Sequence, residues 1–505
     1  MKDGDNQKVI GSFIKKLREK RSLTQKELAE RLNTSQSAIA RIESGGQNLT
    51  AGELLKIGDA LEHKIVSLSD SVDFKISGGK KLKGTIKTNS SKNGAMGLLC
   101  ASLLNKGTTI LYGIPRIEEV NRMLEILSAL GVRYRWLERQ TLEIVPPKKF
   151  YRNGLIHSSV ANVRSSLMLI PATVHNLKNF SLLHTGGCKM GERTIAAHRY
   201  ALEDFGISMK TQSNKYVVSA GSLKPANIVM YEASDTATEN AIMTAALIPG
   251  TTKISFAPPN YQVQEVCFFL EKCGVKIEGI GTTNLTIHGV KEINQKIEYY
   301  NSEDPIESMM FISAAVTTKS RLRVERCPID FLSLELAKLK AMGLKYKTSK
   351  EYLALNKNTK LVDITVFPSK LKALRDKIHA QPYPGINSDN LPFFVPIATQ
   401  AEGTTLIHDW MWENRAIYFT ELNRLGANIT LADPHRVFIN GSTKLKPAQV
   451  VCPPALRPAM IILIAMLAAP GISILRNVYS INRGYEDVVL RLNSIGASIE
   501  KLTEV

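Results

Sequence analysis

The sequence predicts an α/β (α+β) body of six repeated βαβαββ-like units, preceded by a small all-α domain. Three observations carry this. A glycine closes a helical stretch six times, in Ala129-Leu130-Gly131, Asp204-Phe205-Gly206, Lys272-Cys273-Gly274, Ala341-Met342-Gly343, Arg424-Leu425-Gly426 and Ser494-Ile495-Gly496. Each is followed by an apolar or β-branched run, as expected where a glycine caps a helix and releases the chain into a strand. Gly-Thr-Thr announces a strand at Gly107, Gly250 and Gly403. Residues 8–62, by contrast, carry only helical periodicity. Self-similarity at one supersecondary unit per repeat marks a repeated architecture.

The N-terminal segment is read in order. Val9, Ile10, Phe13, Ile14 and Leu17 recur at helical spacing. Thr24 with Glu27 makes a capping box that opens a helix over Gln25–Leu32. Asn33-Thr34 forms a turn, and Ser35 to Glu43 forms a second short helix. A fourth helix runs near Thr50–Leu61. Two short helices joined by a tight turn are the helix-turn-helix plan, whose second helix fits the major groove. Gln25, Gln36, Ser37 and Arg41 suit phosphate and base contacts. The run Leu23 to Leu32 followed by Ser35 to Glu43 closely resembles the phage-repressor-like (Xre/Cro) family. That resemblance implies binding to double-stranded DNA as a homodimer on two half-sites. A helical interaction module that has lost DNA binding is the competing reading. Residues 1–70 are assigned to this domain with its linker, which falls near 63–73.

Composition bounds the function. The 505 residues are 44% hydrophobic and 22% charged, ordinary for a soluble protein of more than one domain. The charged start Met1-Lys2-Asp3-Gly4-Asp5 is no signal-peptide core. The longest apolar run, Ala459–Pro470, falls short of the ~20 residues of a membrane helix and reads as a buried helix. The expected location is cytoplasmic, with no membrane partner. Six dispersed cysteines read as reduced thiols. Of the net charge of +19, residues 1–70 hold 12 Lys/Arg against 10 Asp/Glu, so the excess lies in the body. A basic body suits an anionic small substrate, a nucleic acid or simple solubility.

One stretch of the body stands out: Thr185-Gly186-Gly187-Cys188-Lys189-Met190-Gly191-Glu192-Arg193. Its glycines permit close approach to a ligand, and its cations favour a thiolate and would hold a phosphate or carboxylate. Alone, such a motif is a Gly-rich surface turn with an idle cysteine. With Ile76-Ser77-Gly78-Gly79, Ser91-Lys92-Asn93, Ser388-Asp389, Glu413-Asn414-Arg415, Leu456-Arg457 and Arg483-Gly484-Tyr485-Glu486, it resembles the enolpyruvyl transferases. The resemblance runs from about Phe74 to the C-terminus. It implies a two-lobed fold with three units per lobe, lobe one being 71–91 plus 303–505 and lobe two 92–302.

The resemblance also implies a reaction. The enolpyruvyl group of phosphoenolpyruvate moves to UDP-N-acetylglucosamine or a related nucleotide sugar, and phosphate leaves. This is the first step of peptidoglycan precursor synthesis. Fixed cations must offset the donor's phosphate and carboxylate. Lys92, Arg164, Arg193, Arg415, Arg457 and Arg483 match the family's cationic positions. Any single arginine is more often a solvated surface charge; five arginines and a lysine at matching positions are not. Cys188 matches the cysteine implicated in donor protonation and adduct formation, Asp389 the acceptor of the hydroxyl proton, and Asn93 and Ser234 contacts to the acceptor. Lys92 is counted with Cys188 and Asp389 as catalytic. Asp304 and Glu307 fall in a family-like segment, for lobe contacts or catalysis, and His184 and His198 read as structural. No His/Cys spacing resembles a metal site, and no cofactor is implied.

The acceptor side departs from the family. In Glu232-Ala233-Ser234-Asp235-Thr236, which aligns with the diphosphate cradle, Glu232 stands where a lysine is common. Asp235 and Thr236 stand where apolar residues or glycine are usual, and Thr194 and Ala196 replace a Pro and an Asp. Two carboxylates beside a diphosphate repel it. Three readings compete: an active transferase with an appended DNA-binding domain, a regulator whose transferase-like body senses a ligand, and an RNA-cyclase-like enzyme with the same repeat. Retention of Lys92, Cys188, Asp389 and the arginines favours the first.

Overall fold

The computed structural model describes residues 3–21, 23–47, 49–61, 72–186 and 194–503, in two compact units divided near Val72. The first holds four helices, Asp3–Lys20, Gln25–Arg31, Gln36–Glu43 and Ala51–Ala60. Thr24 and Glu27 form the expected capping box, and Thr50 with Glu53 forms a second. Ile14, Leu28, Ala29, Ile39, Ile42, Ile57 and Leu61 make the core. The first helix approaches the third closely at Gly11, where a Cβ would stand 2.3 Å from the Ile42 carbonyl oxygen. The expected linker lies almost wholly outside the described residues.

The second unit, Asp73–Lys501, contains six small sheets. The unit opened by the Lys92–Ala101 helix shows the pattern. The Thr109–Tyr112 strand follows, then the Glu118–Ala129 helix, Gly131 and the Arg133–Glu138 and Thr141–Val145 strands. Thr109–Tyr112 pairs antiparallel with Thr141–Val145 and parallel with Ile297–Tyr300. Gly131, Gly206, Gly274, Gly343, Gly426 and Gly496 all adopt φ between 81° and 99°, the left-handed region that glycine alone enters without strain. Three sheets draw their strands from 109–300, and three from 72–87 and 322–503. The apolar run Ala459–Pro470 lies largely within the Leu456–Ala468 helix, which is buried along almost its whole length.

Two units depart from the expected apolar first helix. Residues 152–174 form three 3-10 turns and the short Ile170–Val174 helix, and 391–398 form a 3-10 turn and the Phe394–Ala398 helix. Pro171, Pro392 and Pro396 sit in these segments. Each removes a backbone donor and blocks a longer helix. Among the described residues no helix is long and apolar enough to cross a membrane.

Candidate active site

A cleft of about 590 Å³ opens between the two groups of sheets. Lys92, Asn93, Arg164, Ser234, Asp389, Arg415, Arg457 and Arg483 all line it. Helix starts position several of them. Ser91 caps the Lys92–Ala101 helix by accepting from Gly94 N, which sets Lys92 and Asn93 in its first turn. Lys92 Nζ donates to Glu119 Oε2 at 3.0 Å, and Asn93 Nδ2 to the Tyr261 hydroxyl at 2.9 Å. Burial works to raise the Glu119 pKa, but Lys92, Arg483 and Arg457 outweigh it and hold it below the usual value.

Asp389 is gripped by arginines. Arg457 Nη2 lies 3.0 Å from Oδ2 and Arg415 Nη1 3.9 Å from Oδ1. Burial alone would raise its pKa; Arg457, Arg415 and Lys92 bring it below the ordinary carboxylate range. Arg457 also donates to the Tyr485 hydroxyl at 2.7 Å. The Arg415 side chain is fully buried and clamps Asp409 at 2.6 and 2.7 Å while donating to the Ser388 carbonyl, so Asp409 balances most of its charge. Asp304 caps the Pro305–Thr317 helix and accepts from the Lys92 amide at 3.4 Å; Glu307 accepts from the Asn89 amide and pairs with Arg491. Asp304 therefore reaches Lys92, while Glu307 ties the Asn89 segment and the Val488–Ser494 helix to its own helix.

Cys188, Lys189 and Arg193 lie outside the described residues. The stretch that precedes them is described. A Cβ at Gly186 would stand 1.9 Å from the Ala161 carbonyl oxygen, so only glycine fits there. On the far side, Arg164 Nη2 donates to the Thr194 carbonyl at 2.8 Å and tethers the chain just after those residues. His184 packs against Tyr216 with the two rings tilted by 33°. His198, read as structural, is buried between Asn240 and Thr236, yet also borders the cleft.

Burial, opposed by Asn260 and aided by Asp389, pushes the Asp235 pKa up to about 6, which leaves it negatively charged near neutral pH as expected. Its Oδ2 accepts from Asn260 Nδ2 at 2.8 Å. Glu232 is exposed at the rim of the cleft. Sequence reasoning missed Glu119 and Asp409, which sit in no motif, and gave no role to Tyr485 or Glu239. Glu119 and Glu239 line the cleft, whereas Asp409 and Tyr485 act on it through Arg415 and Arg457.

In the first unit, Gln36, Ser37 and Arg41 are exposed on the Gln36–Glu43 helix. Gln25 is half-buried, and its Nε2 donates to Glu43 Oε2 at 2.9 Å. The reason is Glu43, a buried carboxylate already paired with Arg18 at 2.6 Å, which needs a further donor.

The fold and the cleft define a class, six-unit α/β proteins with a cationic cleft between two groups of sheets. Residues 76–492 match the family described as EPSP synthase (3-phosphoshikimate 1-carboxyvinyltransferase), and residues 14–64 match a helix-turn-helix family. The UDP-N-acetylglucosamine 1-carboxyvinyltransferase of Treponema denticola is 36% identical over 429 residues, covering 85% of this chain and 99% of that protein. The enzyme of the same name from Borreliella burgdorferi is 33% identical, covering 85% of this chain and 98% of that one. Among solved structures, the enolpyruvyl transferase NikO from Streptomyces tendae shares the fold with a TM-score of 0.73 at 23% identity, over 86% of this chain and 100% of that one. An EPSP synthase from Acinetobacter baumannii does so at 0.64 and 17% identity, over the same shares. The chain belongs to the enolpyruvyl transferase family, with a helix-turn-helix domain at its N-terminus.

Proposed function

We propose that the protein transfers the enolpyruvyl group of phosphoenolpyruvate to a hydroxyl of a nucleotide sugar, UDP-N-acetylglucosamine or a relative of it, and releases phosphate. The observation that carries this is the cluster of Lys92, Arg457 and Arg415 around Asp389, with Arg483 lining the same cleft. The acceptor oxygen bonds to C2 of the donor while the methylene carbon gains a proton. The C2–O bond to phosphate then breaks, the methyl group gives up a proton, and the vinyl ether forms. Lys92, Arg164, Arg193, Arg457 and Arg483 hold the donor's two anionic groups and the acceptor's diphosphate; Arg415 holds Asp389. Asn93 and Ser234 orient the acceptor. Asp389 accepts the hydroxyl proton, and Cys188 delivers and removes the proton at the methylene carbon. Lobe one is 71–91 plus 303–505 and lobe two 92–302. Residues 1–70 bind duplex DNA as a dimer, with Gln36, Ser37 and Arg41 on the major-groove helix.

The test is phosphate release from phosphoenolpyruvate by the purified full chain, with and without nucleotide sugar. Release that requires the sugar is expected. Asp389→Asn should lower kcat by about 100-fold or more, the scale of a lost general base. Sugar-independent release, or full activity in that variant, would overturn the reading.

A further inference from the structure

The Asp235–Ala246 helix places Asp235 and Glu239 one turn apart, on one face. Asp235 is half-buried in the wall of the cleft, and Glu239 lies behind it, fully buried. Each has a single hydrogen-bond donor among the described residues. Asn260 Nδ2 serves Asp235 Oδ2 at 2.8 Å, and Gln262 Nε2 serves Glu239 Oε2 at 3.3 Å. Glu239 Oε1 has no partner among the described residues. It occupies the space left by Gly97, where a Cβ would come within 2.8 Å of it. Any side chain at position 97 would displace the carboxyl.

The electrostatics of this wall are opposite to those of the rest of the cleft. The charged group that acts on Asp235 is Asp389, and the one that acts on Glu239 is Asp235; among the described residues no lysine or arginine does so. Burial, helped by these like charges, pushes both pKa values up. Unpaired buried carboxyl oxygens are costly, and a ligand that brings donors and positive charge relieves the cost. Lys92, Arg457 and Arg483 meet the needs of a dianionic donor. The acidic wall is left to the acceptor, close enough to Asp389 for the two carboxyl groups to interact.

We propose that the acceptor is a nucleotide sugar with a protonated primary amine beside the accepting hydroxyl, the amine paired with Asp235 and backed by Glu239. This rests on the enolpyruvyl-transfer reading and narrows its acceptor. An acetamide presents a single weak donor and no charge, and leaves the two carboxyl groups uncompensated. An ammonium presents three donors and the charge.

The experiment is calorimetric titration of the full chain in EDTA at pH 7, with UDP-glucosamine and with UDP-N-acetylglucosamine as probes. The amine should bind about tenfold or more tightly than the acetamide, and Asp235→Asn and Glu239→Gln should each shrink that ratio toward one. Thermal melting of both variants checks that they fold; the wild-type ratio is decisive without them. Equal or tighter binding of the acetylated sugar by wild type overturns the proposal, as does a ratio that neither folded variant moves. Amine binding that appears only with a divalent cation also overturns it, by assigning the carboxyl groups to a metal. Phosphate release is followed in parallel. Its absence with both sugars counts against enolpyruvyl transfer, while the binding ratio still decides the amine.

Discussion

Arg415 and Asp409 form an ion pair with both side chains fully buried. A pair of this kind is a weak source of stability while intact and a severe liability when halved. Arg415→Ala leaves the Asp409 carboxylate buried without its cation, and should cost about 3–5 kcal/mol. Arg415→Lys cannot restore two parallel bonds to Asp409 together with one to the Ser388 carbonyl. Thermal unfolding should show both variants destabilised, the alanine more. An alanine variant as stable as wild type would contradict this. The arginine was legible in the sequence through its motif; its counter-ion was not. Asp409 is one acidic residue among 46 Asp and Glu, and only packing puts it under Arg415. The same holds for Glu119, which reads as the ordinary first-turn acid of an amphipathic helix yet holds Lys92.

At the scale of elements, the Tyr261–Lys272 helix carries Glu265, which is buried and accepts from the Ser302 hydroxyl at 2.6 Å and the Ser302 amide at 3.2 Å. Asn356 Nδ2, in the turn before the Lys360–Phe367 strand, lies 3.4 Å from both oxygens. Burial outweighs these bonds and raises its pKa from 4.5 to about 7. Across that window the native chain keeps a proton that the unfolded chain has lost. Stability therefore falls as pH rises through the window, by up to about 3 kcal/mol for this one group. Melting at pH 5 and pH 8 should show Glu265→Gln gaining on wild type at the higher pH; a constant difference would contradict it. In the N-terminal unit, the helices and their caps were readable because both are local. The bond from Gln25 to Glu43 was not readable, because the two are 18 residues apart. Selection of enriched duplex sequences should show Gln36→Ala and Arg41→Ala losing discrimination between sites. Gln25→Ala should instead lower the melting point of this unit, since it strips a donor from buried Glu43. Unchanged selectivity in both of the first two variants would place the DNA-reading surface elsewhere.

At the scale of the whole molecule, the six-fold repetition was legible because each copy is punctuated by a glycine that no other residue replaces at its left-handed φ. The shortened helices at 152–174 and 391–398 were not, because a repeat pattern hides where proline breaks one copy. The cationic side of the cleft could be read from motifs, whereas its acidic wall needed the helix register that aligns Asp235 with Glu239. The central claim is that this cleft moves an enolpyruvyl group through an addition followed by an elimination. The most direct measurement is product analysis by NMR after the full chain turns over phosphoenolpyruvate and a nucleotide sugar in deuterated water. Addition makes a methyl group that carries solvent deuterium, and elimination removes either isotope. The account predicts a vinyl ether on the sugar with deuterium in its methylene position, formed in step with phosphate, and its loss in Cys188→Ala. Phosphate without a vinyl ether, a vinyl ether free of deuterium, or no turnover with either sugar would contradict it.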